Sequence, residues 1–302
     1  MKKKKIWVIL VVCAVLTCLA VSALIFYRDT RRQKYANMSG ITIANRNTVI
    51  TSIREGLKNH SRQIIIEFTA HNDSMADIGH MVDALMEQAL SETDDASEGD
   101  YIRYQYGGYE VRYGYNNDRG RYDYIIKIIP EYYTTPAQEE EVTEEVHRIL
   151  DGFAFDESTD DYEKVRAIYD YVYQNVCYDK VHQNKDNQHL KTTAYAALHY
   201  GTAVCQGYSV LMYRLLKESG VDARVITGTG TFEGQDELHA WNLVKIDGRY
   251  YNLDVTWDKA LESDIYFLKG DADFPDHVRD EKYTSEEFCR EYPCAEQKYV
   301  NE

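Results

Sequence analysis

A hairpin pattern in the last quarter of the chain constrains which side chains can meet. The stretch ELHAWNLVKIDGRYYNLDVTWD (237–258) carries Asp247-Gly248 between two strand-like runs. This dipeptide is a strong signal for a two-residue turn between antiparallel strands. A two-residue turn pairs Ile246 with Arg249, and that pairing sets the register of everything farther along both strands.

The register predicts that a histidine and an aspartate lie on one face of the sheet. Counting outward from the turn puts Trp241 opposite Asp254 and His239 opposite Thr256. Side chains on a strand alternate between faces, so His239, Trp241 and Asp254 share a face. Diagonal neighbours have Cβ atoms roughly 7–8 Å apart, which lets a carboxylate reach an imidazole nitrogen. A bulge in either strand would change the count.

A helix pattern earlier in the chain begins at a cysteine. TAVCQGYSVLMYRLLKESG (202–220) predicts a helix that starts at or near Cys205, with an apolar side and a stop at Gly220. A thiol at a helix N-terminus faces unpaired N–H groups and the positive end of the dipole, and both favour the nucleophilic thiolate. The same N–H groups can hold a developing oxyanion. A lone cysteine that is merely packed at a helix start is the alternative.

The remaining cysteines do not form a disulfide framework. Cys289 and Cys294 are close enough in sequence to pair in an oxidising compartment. Cys177, at the end of a helical pattern, is expected to be a small buried residue. No CxxC pair or histidine-rich cluster predicts zinc, and no acidic loop has calcium-ligand spacing. We therefore expect neither a metal nor a cofactor.

Residues 1–27 are distinct from the rest of the chain. MKKKK precedes an uncharged run at 6–27, which is long enough to span a bilayer as a helix. We expect an uncleaved transmembrane anchor with the rest of the chain outside the cytoplasm; a cleaved signal peptide and a reversed anchor are the alternatives. The formal net charge of −16 argues against a nucleic-acid partner.

The rest of the chain divides by pattern into three parts. Residues 28–45 have the composition of a polar stalk and 46–135 the pattern of a small α+β domain. Within the latter we expect helices near 47–60 and 74–92, a strand at 63–70, a solvated acidic loop at 91–99 and a tyrosine-rich hairpin turning at 116–120. The tyrosines are expected to cover a half-buried sheet face; sugar or peptide binding is the alternative.

The catalytic domain is expected at 136–302. Thr135-Pro136 is a helix-start signal. A second amphipathic helix is predicted from the spacing of five apolar residues: Val165, Ile168, Tyr169, Val172 and Val176.

Three motifs resemble those of the transglutaminase-like superfamily. AVCQGYS, HAWN and YYNLDVTWD occur in that family's order of cysteine, histidine and aspartate, and EKVRAIYDYVYQNVCYD and TTAYAALHYGTA resemble its lead-in segments. The resemblance covers roughly residues 155–270. It implies an α+β fold with a papain-like core, in which a helix carrying the nucleophile packs on an antiparallel sheet. By motif, Cys205 is the nucleophile, His239 the general base and acid, and Asp254 the orienting carboxylate.

The resemblance implies acyl transfer or hydrolysis of protein or peptide amides through a thioester. Cross-linking members carry a tryptophan upstream of the cysteine that helps hold the oxyanion. Here the tryptophans are Trp7, Trp241 and Trp257, so that donor is missing or replaced. Gln206, Trp241 and Trp257 are candidates for substrate binding or the oxyanion site. The alternative function is a non-catalytic module that binds peptide or cell wall on the same fold.

Overall fold

The computed structural model describes residues 43–70, 78–180 and 187–301. The predicted anchor (1–27), most of the predicted stalk and the first residues of the helix expected at 74–92 lie outside these ranges. Within them, no helix combines the length and apolar character needed to cross a membrane.

Helices and strands alternate irregularly along the chain. The helices are α1 (Ile43–Lys58), α2 (Ile78–Ala89), α3 (Asp100–Arg103), α4 (Pro136–Phe153), α5 (Asp161–Asn175), α6 (Ala194–His199), α7 (Cys205–Glu218), α8 (Val255–Leu261) and α9 (Glu286–Glu291). The strands are β1 (Ile64–Ala70), β2 (Tyr106–Asp118), β3 (Arg121–Tyr132), β4 (Cys177–Tyr178), β5 (Thr202–Ala203), β6 (Ala223–Phe232), β7 (Gln235–Ile246), β8 (Arg249–Leu253) and β9 (His277–Arg279). Short 3₁₀ turns occur at Gln188–Thr192, Asp271–Asp273 and Glu281–Tyr283. The fold is mixed α+β, as the sequence predicts.

The described residues form two compact units. The first contains 43–53, 63–70, 78–89 and 110–129, and the second contains 54–62, 90–109, 130–180 and 187–301. The single boundary predicted near residue 135 therefore differs from the observed division, because two earlier segments belong with the second unit.

The first unit is built on a three-stranded sheet in the order β1-β3-β2. β1 and β3 are antiparallel, with Ile64 paired to Ile128 and Ile66 to Ile126, and all four side chains are buried. Alternation along the strands buries one face, as expected for a half-covered antiparallel sheet.

The tyrosine-rich hairpin forms, but its tip differs from the prediction. Tyr109 and Val111 are half-buried, whereas Tyr113 and Tyr115 are 45% and 47% exposed. The expected covered face therefore extends only along the base of the hairpin.

The second unit is organised around α7 and a four-stranded antiparallel sheet in the order β8-β7-β6-β9. Every residue of α7 from 207 to 216 is buried, including Tyr213 and Arg214. The sequence predicts one apolar side, but α7 is surrounded because α5 and α6 pack on it as well as the sheet. This central helix ends at Glu218, and Gly220 has φ +86° in the expected stop.

The predicted helix starts are confirmed. Thr135 caps α4 with a capping box that includes Gln138, and Pro136 is the first helical residue. Asp160 caps α5 in the same manner with Glu163. These boxes satisfy N–H groups that have no partner inside the helix.

The β7–β8 turn confirms the predicted register over its first half. Asp247 and Gly248 both have positive φ (+51° and +79°), as a two-residue hairpin turn requires, and Ile246 pairs with Arg249. Strand pairing ends at Asn242 with Leu253. Asp254 then leaves the sheet and caps α8, so the strand-like continuation expected through Thr256 is wrong.

The acidic loop at 91–99 is not simply solvated. Glu98 is buried, and its carboxylate accepts a hydrogen bond from Thr93 Oγ1 at 2.9 Å and lies 3.4 Å from Lys58 Nζ. Tyr213 donates to Glu92 at 2.7 Å. Sequence composition indicated a charged surface, but these partners come from distant segments that composition does not reveal.

Next to the loop, Asp100 is completely buried and forms a two-pronged ion pair with Arg224. The two hydrogen bonds are 2.8 and 3.2 Å long, and the backbone N–H of Val225 also donates to Asp100 at 2.9 Å. Glu92 lies 3.5 Å from the same guanidinium. A buried charge of this kind is tolerated because it is paired and hydrogen-bonded.

Candidate active site

Cys205 is the first residue of α7 and is partly exposed. The first hydrogen bond of the helix runs from Tyr208 N to Val204 O at 3.1 Å. The N–H groups of residues 205–207 therefore precede the intrahelical ladder and remain at its positive end. This is the position that the sequence predicts for a reactive thiol.

Gly207 is needed for the backbone around the thiol to pack closely. A Cβ atom there would lie 2.8 Å from Lys191 O and 2.8 Å from Ala203 Cβ. Because a real Cβ essentially never approaches backbone oxygen that closely, glycine at position 207 is a steric requirement of the helix start.

His239 lies on β7 and is 4% exposed. Its Nε2 is 2.8 Å from Asp254 Oδ2. The side chain of Cys205 is close enough to the same imidazole to contribute to the raised pKa of His239. Since Nε2 is engaged by the carboxylate, Nδ1 is the ring nitrogen available to the thiol. The structure thus brings the predicted cysteine, histidine and aspartate together.

Asp254 is held by four donors. Its Oδ1 accepts the backbone N–H groups of Thr256 (3.0 Å) and Trp257 (3.2 Å) as the cap of α8. Its Oδ2 accepts from His239 and, at 3.2 Å, from His277 Nε2. A carboxylate that is 1% exposed needs these donors to remain charged.

The electrostatics of the pair follow from this arrangement. Burial alone would lower the pKa of His239, but the Asp254 carboxylate and the Cys205 side chain overcome it and raise the pKa to about 10. Burial would raise the pKa of Asp254, but the two histidines hold it well below its usual range. The geometry therefore favours the imidazolium, the form that His239 adopts when it receives a proton, beside the Asp254 carboxylate.

Two tryptophans predicted as possible substrate contacts are buried in the wall of the site. The Trp257 ring stacks on the His239 ring with 4.6 Å between centroids, and Trp257 is 3% exposed. Trp241 is 1% exposed, its indole N–H donates to Asn252 at 3.1 Å, and its ring is 6.2 Å from that of His239. Their observed contacts are with the imidazole and the core.

Gln206 is likewise engaged within the protein, because its side-chain amide donates to the carbonyl oxygen of Tyr104 at 2.5 Å. The predicted role of Gln206 in substrate binding or at the oxyanion remains a prediction.

Sequence reasoning missed His277. It lies on β9, 23 residues beyond Asp254, in the unremarkable stretch DFPDHVRD. Its ring stacks on Phe274 at 3.8 Å and lies 4.2 Å from the Trp257 ring. No local pattern predicts this contact, because it arises when β9 pairs with the far edge of β6.

A glycine alternation in β6 is the sequence signal that could have indicated this packing. In TGTGTF (227–232), a Cβ at Gly228 would lie 2.1 Å from Val278 O, and one at Gly230 would lie 2.6 Å from the Trp257 ring. Alternating glycines in a strand indicate close approach of another group. Here they make room for the backbone of β9 and for the Trp257 ring.

The other cysteines lie outside this arrangement. Cys177 is exposed on β4, which corrects the expectation that it is buried. Cys289 and Cys294 are free thiols in this structure. Tyr178, beside Cys177, is 43% exposed; burial, together with the nearby Cys205 and Glu237, raises its pKa to about 12.

Within the described ranges, one group of side chains has ligand atoms close enough to share a metal ion. Atoms of His239, Asp254 and His277 all lie within 4.8 Å of one another. The two histidine-to-carboxylate hydrogen bonds already account for these short distances, so the geometry does not require an ion.

Comparison with known proteins agrees with the geometry. Residues 153–255 match the family model described as the transglutaminase-like superfamily. Over 148 residues the chain is 32% identical to kyphoscoliosis peptidase of Mus musculus and 33% identical to that of Homo sapiens, covering 42% of this chain and 22% of each relative. The chain therefore spans about a fifth of the length of these curated relatives.

Two solved structures are also similar. One is described as a TGase, with 21% identity, a TM-score of 0.33 and coverage of 48% of this chain and 44% of that chain. The other is a candidate cysteine protease from Cytophaga hutchinsonii, with 15% identity, a TM-score of 0.34 and coverage of 58% and 69%. The residues that match the family model include the helix that begins at Cys205, the strand that carries His239, and Asp254, and the chain thus carries a domain of the transglutaminase-like superfamily.

Proposed function

We propose that this protein is a cysteine enzyme that transfers or hydrolyses acyl groups of protein or peptide amides through a thioester. One arrangement carries the proposal: a partly exposed thiol at the start of α7 interacts with a buried imidazole whose Nε2 is 2.8 Å from a carboxylate. Nucleophile, base and orienting acid in this order are the elements of covalent acyl catalysis.

The first half-reaction uses the imidazole as a base and then as an acid. The proton of Cys205 Sγ passes to His239 Nδ1, and the thiolate attacks the carbonyl carbon of the substrate amide. The free N–H groups at the start of α7 stabilise the oxyanion that develops. His239 then returns its proton to the leaving nitrogen, the C–N bond breaks, and the acyl group remains on sulfur.

In the second half-reaction the thioester is attacked by water or by an amine. His239 takes a proton from the incoming group, the C–S bond breaks, and the proton returns to sulfur. Attack by water gives hydrolysis or deamidation, and attack by a primary amine gives a new amide. Asp254 stays ionised throughout and keeps the imidazole in one orientation.

The exposure of the three groups supports a macromolecular substrate approaching from one side. Cys205 is reachable from solvent, whereas His239 and Asp254 are 4% and 1% exposed. A substrate carbonyl can therefore meet the sulfur while the ion pair remains shielded from water, which strengthens its electrostatics.

The protein's location is part of the proposal. The apolar run at 6–27, preceded by four lysines, supports a single-pass membrane anchor with the catalytic domain outside the cytoplasm. Substrates would then be proteins or peptides of the cell surface or wall. Protease added to intact cells should remove an epitope placed at the C-terminus; protection of the epitope until the cells are lysed would contradict this orientation.

Mass spectrometry of a peptide mixture incubated with the full chain, with and without a primary amine, tests the chemistry. Cleavage, deamidation or amine addition should appear with the wild type and disappear with Cys205→Ala. Cys289→Ala, which removes another accessible thiol, should retain the wild-type products. If the wild type yields no product but captures the same peptides as Cys205→Ala, the binding-module alternative is favoured instead.

A further inference from the structure

A second histidine shares the carboxylate of the proposed triad. His277 has a side chain that is 0% exposed, and its Nε2 lies 3.2 Å from Asp254 Oδ2, the oxygen that also binds His239. An ionised carboxylate can only accept hydrogen bonds, so His277 is the donor and carries its proton on Nε2. None of the steps of the proposed acyl transfer uses this ring.

The orientation of His277 is fixed from three directions. Its backbone pairs with Gly230 across the β6–β9 ladder. One ring face stacks on Phe274 at 3.8 Å, and Trp257 lies 4.2 Å away. The ring therefore cannot turn away from Asp254 without displacing core aromatics, and its donor stays aimed at one oxygen.

Among the described residues, Asp254 is also the one hydrogen-bond partner of the ring. Nδ1 of His277 is buried and has no hydrogen-bond partner within the same part of the chain. If His277 only filled space, a phenylalanine would pack equally well at this position, since the other rings in contact with it are aromatic. The donor to Asp254 is thus the feature that distinguishes histidine at this position.

We propose that His277 is a positioning residue of the active site, which donates to Asp254 and holds that carboxylate against His239. This inference rests on the proposed function. Supporting side chains of this kind keep a catalytic group within the narrow range of geometry that its chemistry requires. His277 touches neither the substrate nor the sulfur.

The charged and titratable groups around this contact come from several elements. Asp254 begins α8, His239 faces it from β7, and Asp276 precedes His277 in the chain. Tyr266, whose ring is 5.4 Å from that of His277, donates to Asp276. Burial lowers the pKa of His277 below its ordinary value, although the Asp254 carboxylate acts to raise it. The ring therefore remains a neutral donor at neutral pH.

Alkylation of Cys205 by iodoacetamide, followed by mass spectrometry of its peptide from pH 4 to 10, tests the inference without a known substrate. The wild-type profile is the reference, and a free thiol has a pKa of about 8.5. His239→Ala should move the profile to that value. His277→Phe keeps the ring stacking but removes the donor. It should move the profile part of the way, with a roughly tenfold slower reaction at pH 6, the effect of about one pKa unit.

His277→Gln is the matched variant, because its amide can donate to the same oxygen, and it should stay close to the wild type. If His277→Phe does not fold, His277→Met also lacks a donor and takes its place. A donor-free variant whose profile lies at or below that of the wild type overturns the inference. So does an equal shift in the glutamine variant, which would indicate packing alone. Coincident profiles for the wild type and His239→Ala would instead overturn the proposed function, and the inference with it.

Discussion

Asp254 caps α8 and also accepts hydrogen bonds from His239 and His277 in the proposed active site. Asp254→Asn should keep the first role and remove the second. The asparagine keeps one oxygen that can accept the N–H groups of Thr256 and Trp257 and so preserve the cap of α8. Its amide nitrogen cannot accept from His239 or His277. The substitution therefore removes both hydrogen bonds at Oδ2 and leaves two buried imidazoles without an acceptor.

The magnitude follows from these two hydrogen bonds. A hydrogen bond to a charged group contributes about 1.5–3 kcal/mol, and both bonds here are buried. Asp254→Asn should therefore lower the free energy of unfolding by about 3 kcal/mol or more. Asp254→Ala also removes the helix cap and should cost about 1 kcal/mol beyond that.

Catalysis should suffer more than stability. Without the carboxylate, the imidazole is no longer held in one orientation, and the imidazolium that forms loses its counter-charge. Removal of the orienting carboxylate in a comparable serine triad costs on the order of 10⁴-fold in kcat. From the same principle we expect a loss of roughly 10²- to 10⁴-fold here, measured on any product found in the peptide mixture.

Urea denaturation at two pH values provides the sharpest assay. The pKa of His239 is raised from 6.5 to about 10 in the folded protein. The stabilisation of the folded protein by protonated His239 is therefore complete below pH 6.5 and is lost as the pH rises through about 10. The difference in stability between the wild type and Asp254→Asn should accordingly be larger at about pH 6 than at about pH 9.

The acid side has the opposite sign. The pKa of Asp254 lies below its ordinary value of 3.8 in the folded state. Its contribution is present above pH 3.8 and is lost as the pH falls below that value. Glu157→Gln, which removes an exposed carboxylate between α4 and α5, is the control and should change stability by less than about 0.5 kcal/mol. A stability difference that is the same at both pH values would refute the linkage between Asp254 and His239.

Three further changes test the structure away from the site. Arg224→Met removes the two-pronged partner of the buried Asp100, leaving Arg103 at 3.7 Å, and should cost about 3 kcal/mol in urea denaturation. Arg148→Ala, in an exposed pair with 68% and 32% exposed side chains, should cost no more than about 1 kcal/mol. Equal costs would contradict this account of the buried pair. Burial and the nearby Asp100 raise the pKa of Glu92 from 4.5 to about 8, so the wild type should lose more stability than Glu92→Gln as the pH rises from about 5 through 8; parallel curves would exclude Glu92 as a source of the loss. Asp160→Ala removes the cap of α5 and should lower stability by about 1 kcal/mol, and an unchanged urea midpoint would show that the cap contributes nothing.

Local chemistry explains why parts of this fold could be predicted from the sequence. Asp247-Gly248 permits few backbone conformations, so the pairing of Ile246 with Arg249 follows from two residues. The starts of α4 and α5 are equally local, because a capping side chain bonds three residues ahead. The approach of His239 to Asp254 could be predicted because both residues lie near the short β7–β8 turn. Cys205 could be proposed as their partner because a helix pattern begins there.

Tertiary structure alone decided the rest, because the determining contacts join segments far apart in the chain. His277 reaches Asp254 only after β9 pairs with β6, and Gly228 and Gly230 make room for that approach. The acidic loop forms ion pairs and a hydrogen bond with side chains from three different segments, Lys58, Tyr213 and Arg224. A residue pattern records local conformational preference and periodic burial, whereas such partners depend on how separate elements meet, and that information appears only when the chain is folded.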